Sequence, residues 1–164
     1  MDSEPGRSFI LWAARLSVAL YSAAVIGWLG RRARASTRIR WFWVASWATC
    51  VFHVLLAFHF EHHWSQSAAW QHTAETTERV VGWYWGGGLY VNYVFLAFWG
   101  WHAMAWLSGE PAVSVQRAMH AVAAFMMFNA TAVFGPGWWW IPVALVGVLG
   151  IRQFWLKRKS DDQQ

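Results

Sequence analysis

Between residues 59 and 75 the chain reads HFEHHWSQSAAWQHTAE, which gathers four histidines and two carboxylates into seventeen residues of an otherwise apolar sequence. Neutral imidazole with carboxylate is a donor set suited to Zn, Cu, Fe or Ni. His59, His62 and His63 follow the spacing H-x-x-H-H. On a continuing helix, where each residue turns about 100°, they project within an arc of about 100°. His72 and Glu75, spaced H-x-x-E, add a pair one turn apart on the next helix. Two to three ligands from each of two helices is how helical bundles assemble metal sites. The expected site is His59, His63, His72 and Glu75, with His62 as a fifth ligand, serving metal handling or a metal-dependent redox step on a lipid or quinone-like substrate. Ligation needs neutral imidazole, so affinity should fall below about pH 6. The competing reading is a polar interfacial surface, since histidines tolerate a headgroup environment.

His102 and His120 stand in two successive apolar segments joined by the short SGEPAVSVQ. At 1.5 Å of rise per residue both lie within about a turn and a half of the same ends of antiparallel neighbours. Two histidines at matched depth on adjacent helices are what bis-histidine ligation of a b-type haem requires. Small residues beside them, Gly100, Ala103, Ala121 and Ala124, would leave room. This gives the alternative of a membrane electron-transfer subunit, although the pair can equally bond to each other or to Glu110. Ser46, Thr49, Cys50 and His53 form a polar stripe at i, i+3, i+4 and i+7, and Asn92 and Asn129 lie at comparable depth. Such groups commonly join helices by hydrogen bonds worth about 0.6 to 2 kcal/mol each. A chain held together only in this way would be an accessory or scaffolding subunit without a cofactor. Arg15, inside an apolar run, either snorkels to headgroups or pairs with Glu61.

The five residues His59 to His63 resemble one histidine box of the membrane fatty-acid desaturase and hydroxylase superfamily. That family sets about eight histidines in three boxes on the cytoplasmic side. The present chain has seven histidines and one such box, on the opposite side by the topology below, so the activity does not carry over.

These residues are positioned by long apolar segments. Hydrophobic residues make up 57% of the 164 and charged residues only 13%, against about 25% charged in soluble domains. The expected fold is all-α, a single transmembrane domain with spans at about 9–30, 41–60, 89–107, 113–134 and 139–156, each near the roughly 20 residues a bilayer requires. An outer loop, 61–88, carries a surface helix over 67–81 in which Trp70, Ala74 and Val81 face the bilayer or the bundle, His72, Glu75 and Arg79 face away, and Glu75 can pair with Arg79 at i+4. The start, MDSEPGR, lacks the positive character of a secretory signal, so the first apolar stretch reads as a retained span. Arg31, Arg32, Arg34, Arg38 and Arg40, then Arg117, then Lys157, Arg158 and Lys159 fall on one side of five spans. The positive-inside rule makes that side cytoplasmic, with the N-terminus outside and the tail 157–164 inside, in a bacterial inner membrane. Trp41, Trp43, Trp106 and Trp155 mark the inner ends; Trp64, Trp83, Trp85 and Trp138 to Trp140 mark the outer ends. Basic residues placed this way indicate a lipid bilayer as partner, with further membrane subunits or a second copy, and no nucleic acid. The single Cys50 excludes an intrachain disulfide and a thiolate cluster. No carboxylate relay or inverted repeat suggests a transporter.

Overall fold

Small residues bring the first two helices together. In the computed structural model, which describes residues 4–29, 37–109, 111–133 and isolated helical positions between 141 and 155, α1 spans Glu4–Leu29 and α2 spans Thr37–Phe60. The buried face of α1 runs through Ile10, Ala13, Ser17, Tyr21 and Ala24, spaced three or four apart, as a helix packed along one stripe requires. Ser17 Oγ donates to the Ser46 carbonyl at 3.0 Å, and Ser46 Oγ donates back to the Ser17 carbonyl at 2.8 Å. Side chains this short allow close backbone approach. Further along, His53 Nδ1 lies 3.0 Å from the Ile10 carbonyl, and Gly27 faces Ile39 so closely that a Cβ would meet its side chain at 3.1 Å. The pairs 17 with 46, 10 with 53 and 27 with 39 fix an antiparallel hairpin. The expected polar stripe on α2 is thus used against α1, except that Thr49 Oγ1 bonds its own helix at Ala45.

After a turn at 61–65 comes α3, Gln66–Val81, then α4, Gly88–Ser108, and α5, Val113–Phe128, which runs on into a π-helical segment, Asn129–Val133. No strand occurs among the described residues. Ser65 caps α3 by accepting from the Ala68 amide, and Gly82, at φ 76°, ends it in the left-handed conformation. Ala69 and Ala74 face inward from α3, while Val81 is exposed. Arg79 bonds to Thr76 Oγ1 at 3.1 Å in place of the expected Glu75. Asn129 likewise turns to its own helix, donating to the Phe125 carbonyl at 2.8 Å, and Asn92 is exposed.

Two contacts seat α4 antiparallel on α2. Trp47 Nε1 donates to the Leu96 carbonyl at 3.0 Å, with its indole laid over Gly100, where a Cβ would come within 2.7 Å of the ring. Arg40 Nη1 donates to the Trp106 carbonyl at 3.1 Å, placing a cation at the C-terminal end of α4, where the helix dipole favours it. Arg15 stacks on Trp12, 5.0 Å from its ring centre. The core that results is aromatic, built on Tyr21, Trp43, Phe95, Trp99 and Trp106 with Met119 and Met127 of α5. Two helical stretches, Pro5–Trp28 and Thr37–Phe60, are long and apolar enough to cross a membrane. Most of the fifth expected span, 139–156, the tail 157–164 and the link 30–36 lie outside the described residues.

Candidate functional site

The outer cluster does not keep the helical arc that H-x-x-H-H suggests, because α2 stops at Phe60. Its end closes through Glu61 and His62 amides on the Ala57 carbonyl and the Trp64 amide on the Phe58 carbonyl. His63 at φ 48° and Trp64 at φ 60° then reverse the chain in the left-handed region, which non-glycine residues rarely enter. The turn separates the expected ligands. His59 packs on Phe60 and Trp64 with ring centres 4.7 and 6.1 Å away, and His63 and Glu75 are exposed. His62 and His72 do come together, with ring centres 5.3 Å apart. Burial, then the neighbouring His72 and more weakly His63, hold the His62 imidazole below its ordinary pKa, with Glu61 acting the other way. Among the described residues, no three or more His, Cys, Asp or Glu gather as a metal-holding group.

The inner histidines are arranged differently. His102 is fully buried and His120 nearly so, with ring centres 6.4 Å apart and planes at 68°. Each element contributes through helical spacing. Trp99, His102 and Trp106 share one face of α4 at i, i+3 and i+7, and Trp43 presents the inner end of the α2 face that carries Ser46. Trp28 of α1 lies against His120 with ring centres 4.5 Å apart and planes tilted by 30°. Trp43 touches both imidazoles, at 4.7 Å from His120 and 5.7 Å from His102. Trp106 closes the other side at 5.6 and 6.0 Å. All four imidazole nitrogens and the indole nitrogens of Trp43, Trp99 and Trp106 are buried without a hydrogen-bond partner. Each such group ordinarily costs about 1–3 kcal/mol, so the concentration of them at one point calls for a ligand or ordered water.

The tryptophans were not anticipated as parts of this site; their placement on the helix faces of Ser46 and His102 was the available signal. The small residues expected to make room for a haem do not flank the pair. Gly100 is covered by Trp47, Ala103 is buried in the core, and Ala121 and Ala124 are exposed. A porphyrin lies across the axis joining its two axial ligands, and Trp43, in contact with both rings, stands in that plane. A haem would therefore need Trp43 displaced, whereas a single ion between the imidazoles would not. Compared with family models, curated proteins and solved structures, the chain matches none.

Proposed function

We propose that this chain is a small integral membrane protein of five helices with an outer surface helix, and that it serves electron transfer through a metal-based cofactor held by His102 and His120. The membrane part of the reading is supported by what the helices leave uncovered. Only 28% and 11% of the two most apolar windows are buried by the rest of the chain. Large apolar side chains such as Phe9, Trp12, Phe52, Leu55, Val94 and Trp101 point outward, far beyond the patches tolerated on a soluble monomer. The helix α4 contains no Asp, Glu, Lys or Arg in 21 residues; its Trp, Tyr and Gly depress its hydropathy, yet such rings suit the membrane interface. With the positive-inside rule, the basic segment at 31–40 is cytoplasmic and α3 lies at the outer face.

The observation that carries the functional part is the buried imidazole pair with all four ring nitrogens unpartnered. An enclosed ion cannot bind a substrate directly, so the chemistry left to it is outer-sphere electron exchange. The test is elemental analysis with an absorption spectrum on protein purified in mild detergent from cells replete in metals and haem. Stoichiometric metal or haem should be present, lost in His102→Ala/His120→Ala and kept in His62→Ala/His72→Ala. Folded protein carrying neither would sink the reading and leave an accessory subunit without cofactor. A second reading, an outer-face Zn, Cu or Fe site drawing on His59, His62, His63, His72 and Glu75, rests on the 5.3 Å approach of His62 and His72. It requires the opposite mutational result, with metal lost on changing the outer pair.

A further inference from the structure

Resting on the cofactor site proposed above, we infer that the ion between His102 and His120 is monovalent copper, held by two imidazole nitrogens within a tryptophan cage. Three observations converge on that identity. The first is distance. With metal–nitrogen bonds of about 2.0 Å, two imidazole centres bridged by one ion stand about 6.3 Å apart when coordination is linear and about 5 Å apart when it is tetrahedral. The observed 6.4 Å matches the linear case, and two-coordinate linear geometry is a preference of d10 monovalent copper. A direct hydrogen bond between the rings would draw them closer, and neither ring makes one.

The second observation is charge. The rings around the pair are Trp28, Trp43 and Trp106, which offer no anion. No three-residue group of His, Cys, Asp or Glu forms there or elsewhere among the described residues. The penalty for burying an ion grows as the square of its charge, so a neutral donor set in a low-dielectric interior favours the monovalent state and places its exchange with divalent copper at a high potential. Imidazole is a donor that suits copper. The third observation is the cage itself. Indole faces attract cations, most strongly when desolvated, and Trp43 packs against both imidazoles without leaving room for a macrocycle.

The experiment uses the full-length protein in detergent, stripped of copper and titrated without oxygen against Cu(I) bicinchoninate. One equivalent of Cu(I) per chain should be withdrawn from the chelator, and X-ray absorption should read two nitrogen scatterers with an imidazole pattern. Zn(II) at the same concentration should not displace it. His120→Gln should weaken Cu(I) binding by about 100-fold or more while helicity is kept. The absorption measurement on the unaltered chain stands even if that variant does not fold. Sulfur scatterers, displacement by Zn(II), or no copper uptake by helical protein would each overturn the assignment. If haem is then found bound through the same pair, the copper assignment fails and the cofactor reading survives; if neither copper nor haem binds, both fail.

Discussion

His62 and His72 are the two outer histidines that the fold brings into contact, and their titration can be followed one residue at a time. The His62 imidazole is held below its ordinary pKa by burial first and by His72 second. A folded-state pKa below the unfolded one means that the unfolded chain takes up the proton more readily. The stabilisation is therefore present above about pH 6.5 and is lost as pH falls through the lowered value. His72→Gln removes the repulsive neighbour and should move the His62 midpoint upward, toward that of an ordinary histidine. Proton-detected NMR of the imidazole resonances would check this, and an unmoved midpoint would mean that burial, with His63 and Glu61, sets it without His72. At this scale the sequence was informative about residue type and poor about direction. His62 reads from the sequence only as a fifth ligand beside His59, His63, His72 and Glu75, so its contact with His72 is not singled out there. The turn that follows α2 is hidden from the sequence, because it depends on left-handed backbone at His63 and Trp64, where no glycine or proline announces it.

Helix boundaries follow more closely from the chain, since apolar runs, arginine clusters and glycines mark where a helix can continue. The surface helix expected at 67–81 forms at Gln66–Val81, and the segment expected at 89–107 forms at Gly88–Ser108. What remains hidden at this scale is which bulky ring meets which small residue, because that is decided across helices and carries no periodic signal. Trp70 of α3 packs onto Gly86, where an added Cβ would lie 2.4 Å from the indole and 2.6 Å from the Trp70 carbonyl oxygen. One obstacle is backbone, so the ring cannot simply swing aside. Gly86→Ala should therefore push α3 away from the start of α4 and destabilise the protein by about 1–3 kcal/mol. Thermal unfolding in detergent would record a lower Tm, and an unchanged Tm would mean that α3 is not clamped there. The same logic applies to Trp47 over Gly100, which fixes α4 against α2 and so sets the depth at which His102 meets His120.

For the whole molecule, membrane insertion and the buried site support one another. A cluster of unpartnered imidazole and indole nitrogens is tolerable in a core only when something fills it, and an ion buried there would be better shielded from water in a bilayer than in a small soluble bundle. The proposed orientation rests on chain-wide charge and not on any contact, which makes it separately testable. Cys50 is the only cysteine, so Cys50→Ser gives a background free of thiols. Into that background Ser67→Cys reports on the outer surface helix and Ser160→Cys on the tail. In spheroplasts of a bacterial host, a membrane-impermeant maleimide should label Ser67→Cys at once and Ser160→Cys only after permeabilisation. The reverse pattern would invert the topology and carry the His102–His120 site, with Arg40 beside it, to the outer half of the membrane. Labelling of neither in intact spheroplasts, with extraction of the chain by alkaline carbonate, would remove the bilayer from the account. The exposed faces of α1, α2 and α4 would then have to be covered by another protein.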